Sequence, residues 1–183
     1  PGEFSVYNAV AAITVCRHYG IDQEIIRKAL KTIRVPGRVE VIDNDRGYLL
    51  LIDYAHNAMS LKNILETMRR YHPRQLWVLF GCGGGRSAAR RREMGRVAGK
   101  YADFTVITSD NPRYEEPERI MQTIEEGMKE TKGQYQMMVD RKEAMRFILA
   151  QGRPGDILIL AGKGHEQYQE IKGDYLPFNE RKI

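Results

Sequence analysis

The sequence predicts an α/β fold: a mostly parallel sheet with helices on both faces, preceded by a short helical segment. Three observations predict it. Short apolar runs, Gln75 to Gly81 (QLWVLFG), Phe104 to Thr108 (FTVIT) and Asp156 to Leu160 (DILIL), alternate with longer stretches of helical periodicity. These runs are apolar at nearly every position, as strands buried on both faces of a parallel sheet are. Polar or glycine-rich segments follow the strands, where open parallel sheets gather their ligands.

Residues 5 to 19 read as a helix, with Val6, Ala9, Val10 and Ile13 at helical spacing and Gly20 as a stop. Asp22 can cap a second helix through about Leu30. The turn Val35-Pro36-Gly37 then breaks the chain. Two helices alone bury little surface, so residues 1–36 are expected to belong to a preceding domain and residues 37–183 to form the α/β domain. Within it, Val39 to Ile42, Tyr48 to Asp53 and Tyr135 to Val139 read as further strands. Helices are expected over Ala58 to Tyr71, Ser87 to Tyr101, Pro117 to Glu130, with proline at its start, and Arg141 to Ala150. The tail from Tyr168 to Phe178 reads as a hairpin around Lys172-Gly173-Asp174.

A length of 183 residues suits one ordinary domain plus a short extra segment. Hydrophobic residues make up 42% and charged residues 29%, the balance of a soluble globular protein. No apolar run approaches the roughly 18 residues of a membrane helix. The first residues show no secretory pattern, and they start abruptly, as if cut from a longer chain. Cys16 and Cys82 match no zinc or CxxC spacing, so reduced thiols in a cytoplasmic protein are expected. The formal net charge is +5, with much of the excess between Arg86 and Arg92. That run has no interleaved aromatic residues, which argues against nucleic acid. It serves either an anionic small molecule or the solvated start of a helix.

Four segments carry the chemistry. Gly81 to Arg86 (GCGGGR) can turn backbone N–H groups toward an anion at a helix N-terminus. A G-x-G-x-x-G dinucleotide pattern would need glycine where Arg86 stands. In Asp110-Asn111-Pro112-Arg113 the proline fixes a turn, and Arg113 can bind a carboxylate in bidentate fashion. Turn stabilisation by Asp110 and Asn111 is the plain alternative. Gly162 to Glu166 (GKGHE) lacks the spacing of a phosphate loop and the second histidine of a zinc site. Asp53 and His56, just beyond a strand, can meet ribose hydroxyls, phosphate or base. Each of these segments follows a predicted strand, so one shared site is expected.

The motifs in order, FSVYNAVAA, PGRVE, DYAHNAMSL, GCGGGR, MGRVAGKYAD, ITSDNPRYEEP, DRKEA, AGKGHEQYQ and YLPFNER, resemble the Mur ligase family. The resemblance covers essentially the whole chain, and DNPR with GKGHE is its most specific part. It implies the last helices of a central ATP-binding domain followed by a Rossmann-like C-terminal domain. It also implies ATP and Mg2+ as cofactors, with the phosphate loop and metal ligands in partner domains outside this chain. The small-molecule ligands implied are ATP, UDP-MurNAc-dipeptide and a diamino acid, joined through an acyl phosphate. No catalytic residue, metal ligand, nucleic acid or membrane is expected of this chain.

By the same resemblance, Asn8, Arg38, Asp53 and His56 are expected at the nucleotide. Arg86, Asn111, Arg113, Gly162 and Glu166 are expected at the diamino acid. DNPR is typical of relatives adding meso-diaminopimelate, whose distal carboxylate Arg113 would hold while Glu166 pairs with the ammonium. One departure bears on this: such relatives commonly read GCGGDRD, whereas Gly85 and Ser87 flank Arg86 here. L-lysine or another diamino acid, and a nucleotide-binding module without ligase activity, are the alternatives.

Overall fold

The computed structural model describes residues 2–183, apart from the side chains of Glu3 and Phe4. Two helices come first, α1 (Glu3–His18) and α2 (Gln23–Thr32). The Asp22 carboxylate caps α2, accepting from the Glu24 and Ile25 N–H groups. Then follow β1 (Glu40–Ile42), β2 (Leu49–Asp53), α3 (Ala58–Arg69), β3 (Leu76–Phe80) and α4 (Ala88–Tyr101). Next are β4 (Phe104–Thr108), α5 (Pro117–Lys129), β5 (Gln134–Met138), α6 (Arg141–Gln151) and β6 (Ile157–Ala161). A hairpin of β7 (Tyr168–Ile171) and β8 (Asp174–Pro177) and a 3-10 helix (Glu180–Lys182) come last.

The six-stranded sheet has the order β1-β2-β6-β3-β4-β5. Only β1 runs antiparallel to its neighbour, and the other pairings are parallel. The chain steps outward from β3 to β5, then α6 carries it back to insert β6 between β2 and β3. The outward crossovers α3, α4 and α5 pack on one face over Leu61, Leu65, Met94 and Ile124. The returning α6 packs on the other with Ala144, Met145 and Ile148 against Trp77 and Leu158. β3 and β6 are therefore buried along their whole length, which is why they read as unbroken apolar runs. The change of direction at β6 gives the sheet a switch point among the carboxyl ends of β2, β6 and β3, where such folds place ligands.

Local chemistry sets the element ends. Asn57, Ser87 and Asp140 cap α3, α4 and α6 with side-chain acceptors. The strand expected from Val39 begins at Glu40, because Val39 sits at φ 45, outside the strand region. The hairpin turn uses Lys172 and Gly173, both at positive φ, as a two-residue turn between twisted strands requires. The apolar face that periodicity marked on α1 is not a core face here: Val6 and Val10 are exposed, as are Ile25 of α2 and Ile33 just beyond it.

One ion pair joins elements far apart in sequence. Arg141, fully buried at the start of α6, donates from Nε and Nη2 to Glu180 Oε1 at 2.9 and 2.7 Å. It also donates to Ala161 O at 2.9 Å and Ser109 O at 3.3 Å, the carbonyls at the ends of β6 and β4. Removing one member leaves the other charged and unpaired in the interior. Arg141→Ala or Glu180→Ala should each destabilise the chain by about 3–5 kcal/mol. The paired change Arg141→Met with Glu180→Leu should cost clearly less than the sum. Urea unfolding of the three variants checks this, and additive losses would show that the pair does not act as a unit.

Candidate functional site

Residues from all four strand-end segments line one cleft. Tyr54 and His56 follow β2, and Gly81, Cys82, Gly83 and Arg86 follow β3. Asp110, Asn111 and Arg113 follow β4, Gly162 and Glu166 follow β6, and Arg90 and Arg91 of α4 complete the wall. The strand register explains the convergence. Asp53 pairs with Ala161, and the Gly162 N–H donates to Asp53 O at 3.0 Å, so the segments after β2 and β6 leave the sheet side by side.

The glycine loop after β3 forms the cationic wall. A Cβ at Gly84 would fall 2.0 Å from Pro112 O, so only glycine allows the loop to lie against the turn after β4. Arg91, buried in α4, holds the loop from the other side. It forms a bidentate pair with Glu115, both bonds 2.8 Å, and donates to Gly83 O at 3.3 Å. Glu115 also accepts from the Gly85 N–H at 2.5 Å. The Arg91 hydrogen bonds, then the Gly85 N–H, hold its carboxyl down at about 2. Arg90 donates to His56 O at 2.7 Å, tying this wall to the segment after β2. Arg86 is exposed and has no hydrogen-bond or ion-pair partner among the described residues.

The opposite wall is anionic. Lys163 is fully buried, and its Nζ donates to Asn111 Oδ1 at 2.8 Å and Glu166 Oε2 at 3.2 Å. Asp110 Oδ1 lies 3.7 Å from the same ammonium. Two carboxylates against one lysine leave one negative charge over. Asn111 Nδ2 donates to Glu166 Oε2 at 2.9 Å, and its Oδ1 also accepts from the Glu170 N–H at 3.0 Å. The Asn111 carbonyl oxygen is thus engaged within the protein. Gly162 sits at φ 109, and a Cβ there would meet Asp110 Oδ2 at 2.7 Å.

Arg113 lies between the walls, in a left-handed backbone conformation at φ 56. Its Nε donates to Glu170 Oε2 at 3.0 Å and its Nη1 to Gly84 O at 2.9 Å. A side chain at position 85 would start 3.9 Å from that Nη1. The glycine found there in place of an acid therefore removes a neighbour of this arginine.

The residues expected at a nucleotide are placed differently. Asn8 is exposed on α1, outside the cleft lining, and Arg38 and Asp53 are also absent from that lining. The Arg38 guanidinium sits over the Tyr54 ring, 4.7 Å from its centroid. Asp53 is buried and accepts from the Val39 N–H at 2.7 Å and the Ala55 N–H at 2.8 Å. Burial raises its carboxyl above the ordinary range against the pull of those bonds. His56 is exposed in the cleft, with Nδ1 2.8 Å from Tyr54 O. The sequence reading missed Tyr54, whose ring meets His56 at 4.6 Å and His165 at 5.0 Å. It also gave no role to Lys163 or Glu115, and it left Arg90 and Arg91 between anion binding and a solvated helix start. The Lys163 signal was present, as a lysine two residues after a buried strand, but its partners are set only by the sheet order.

A mostly parallel sheet carries a pinned glycine loop, an unpaired arginine and a carboxylate–lysine cluster at its switch point, which defines an α/β domain with a cleft of mixed charge. Residues 37–164 match the family model described as the Mur ligase glutamate ligase domain, and the chain belongs to the Mur ligase family. The UDP-N-acetylmuramoyl-L-alanyl-D-glutamate--2,6-diaminopimelate ligase of Caldanaerobacter subterraneus subsp. tengcongensis is 48% identical over 183 residues. That match covers 100% of this chain and 38% of the relative. A solved structure of a ligase with the same name shares 39% identity and a TM-score of 0.75, covering 97% of this chain and 37% of its own. The fold alone is shared with Mycobacterium tuberculosis folylpolyglutamate synthase complexed with ADP and AMPPCP, at 19% identity and a TM-score of 0.68. That match covers 88% of this chain and 38% of the synthase. The chain thus spans well under half the length of these relatives.

Two predictions follow from the cleft. Burial first, and the Asp110 charge second, push the Cys82 thiol up to about 12. Its thiolate is negligible at neutral pH, so an alkylating reagent at pH 8 should label Cys16 in the native chain and leave Cys82 intact until unfolding. Mass spectrometry of the labelled chain reads this directly. Glu115 has the depressed pKa of a paired carboxylate, about 2 against an ordinary 4.5. Its contribution is complete above about 4.5 and is lost as pH falls toward 2. Hydrogen exchange at the Gly85 amide should accelerate over that window relative to the pH trend of other loop amides, and Glu115→Gln should flatten the difference.

Proposed function

We propose that this chain supplies the amino-acid-binding domain of an ATP-dependent ligase that adds meso-diaminopimelate to UDP-N-acetylmuramoyl-L-Ala-D-Glu. The observation that carries the reading is the separation of charge in the cleft. Arg86 stands without a partner on one wall, and the Asp110–Lys163–Glu166 cluster keeps one excess negative charge on the other. Arg113 stands between them. Such a site suits an amino acid with a carboxylate at one end and an ammonium with a further carboxylate at the other. The names of the 39–48% identical relatives support the same substrate.

In the reaction so proposed, ATP converts the precursor's carboxylate to an acyl phosphate. The neutral amine of the amino acid attacks the carbonyl carbon; the new C–N bond replaces the C–O bond to phosphate, phosphate leaves, and the nitrogen gives up one proton to solvent. The chain's own residues hold the amino acid in place: Glu166 and Asp110 bind the ammonium at its far end, while Arg86 and Arg113 bind carboxylates, fixing the approach of the separate nucleophilic amine. Arg38 and His56, with Tyr54 between them, are assigned to the nucleotide side. The Mg2+ ligands are assigned to the domains that precede this chain. Residues 1–36 are assigned to the end of an ATP-binding domain. The family model begins at residue 37, and the apolar Val6, Val10, Ile25 and Ile33 await a covering surface.

Calorimetry of the chain with meso-diaminopimelate, L-lysine and NAD tests the reading. Binding of diaminopimelate in preference to both others is expected. Arg113→Ala should weaken it by about 2 kcal/mol, the low end for a charge pair, because the Arg113 side chain is 37% exposed. Preference for L-lysine would overturn the substrate, and preference for NAD would overturn the ligase reading altogether.

A further inference from the structure

Arg113 is held by the β7–β8 hairpin, which the proposed reaction does not otherwise use. The Arg113 N–H donates to Glu170 O at 3.0 Å, and the Lys172 N–H donates to Arg113 O at 2.7 Å. This short bridge stabilises a left-handed backbone that a non-glycine residue adopts only when its surroundings impose it. The side chain is then fixed separately. With Nε on Glu170 and one Nη1 hydrogen on Gly84 O, three of the five guanidinium N–H groups remain, one on Nη1 and two on Nη2. No glycine-loop side chain shares this task, because position 85 is glycine.

We propose that Glu170 is a positioning residue for Arg113, and that through it the hairpin sets the cleft's preference for amino acids bearing a second carboxylate. The proposal rests on the reading that Arg113 binds that carboxylate. Glu170 acts in two opposed ways. Its charge repels an incoming carboxylate, and its hydrogen bond keeps the guanidinium from swinging toward Asp110. Arg113 is only partly buried, so water screens the repulsion, while the loss of orientation would remove the contact itself. Orientation therefore dominates. Glu170→Gln keeps an acceptor without the charge, and Glu170→Ala removes both.

The test is calorimetry of meso-diaminopimelate and L-lysine on the chain and its variants, with thermal unfolding as a control. Glu170→Ala should raise the Kd for diaminopimelate about fivefold and leave L-lysine unchanged, and Glu170→Gln should stay within about twofold of the parent. In an Arg113→Ala background, Glu170→Ala should have no further effect. Tighter diaminopimelate binding by Glu170→Ala, or equal weakening of both ligands, would overturn the proposal, the first by showing that charge dominates and the second that the role is structural. An Arg113→Ala variant with unchanged selectivity, or a parent chain that binds neither amino acid, would instead overturn the underlying reading of Arg113.

Discussion

The cleft depends on a buried arginine that does not line it. β4 and β6 are separated by β3, so no ladder hydrogen bond fixes their carboxyl ends relative to each other. Arg141 does so, donating to Ser109 O and Ala161 O, the carbonyls from which the DNPR and GKGHE segments begin. A guanidinium suits the task because its planar fork offers five N–H donors in fixed directions. Its charge requires neutralisation in the interior, and Glu180, from the last helical turn, provides it. The final residues are thereby part of the site's framework rather than a trailing tail. Arg181 extends the tie, donating from Nε to Glu40 at 2.8 Å and from Nη1 to Gly164 O at 3.3 Å.

On this framework most charges are paired and a few are left over. Most cations near the cleft are already matched: Arg91 by Glu115, Arg113 by Glu170, and Lys163 by its two carboxylates. Full matching of every charge would leave a ligand nothing to gain, and none would leave a field too strong to be selective. The unmatched remainder is Arg86 and Arg90 on one side and one carboxylate on the other. Lys163 is central to that remainder. Without it, Asp110 and Glu166 would face each other as like charges in a poorly solvated corner, at a cost that burial magnifies.

The sequence was most informative where a single physical rule acted locally. Apolar runs revealed β3 and β6, a polar cap at Asp22 revealed the start of α2, and the Lys-Gly pair revealed the hairpin turn. The loops after the strands were legible as one site because parallel sheets place them at one edge. What escaped were relations fixed by strand order. No periodicity announces that β6 lies between β2 and β3, so Lys163 could not be paired with Asp110, nor Arg141 with Glu180. The apolar stripe of α1 correctly marked a helix, but periodicity reports a face that seeks cover and not what covers it.

Tyr54 links the two sides of the cleft. Its ring carries Arg38 on one face and meets His56 and His165, while its hydroxyl donates to Glu166 Oε1 at 3.4 Å. The long hydroxyl bond is weak, and nearby Glu166 raises the phenol further, after burial, so it remains a neutral donor. The stronger coupling is through the backbone: Asp53 and Ala161 pair in register, and the Gly162 N–H closes onto Asp53 O. The segment holding Tyr54 and His56 and the segment holding Lys163 and Glu166 are therefore tied side by side. Arg90, donating to His56 O, adds the start of α4 to that tie. A ligand bridging the walls thus meets walls already joined to each other, and the hairpin bearing Glu170 is tied to them through Asn111 and Arg113.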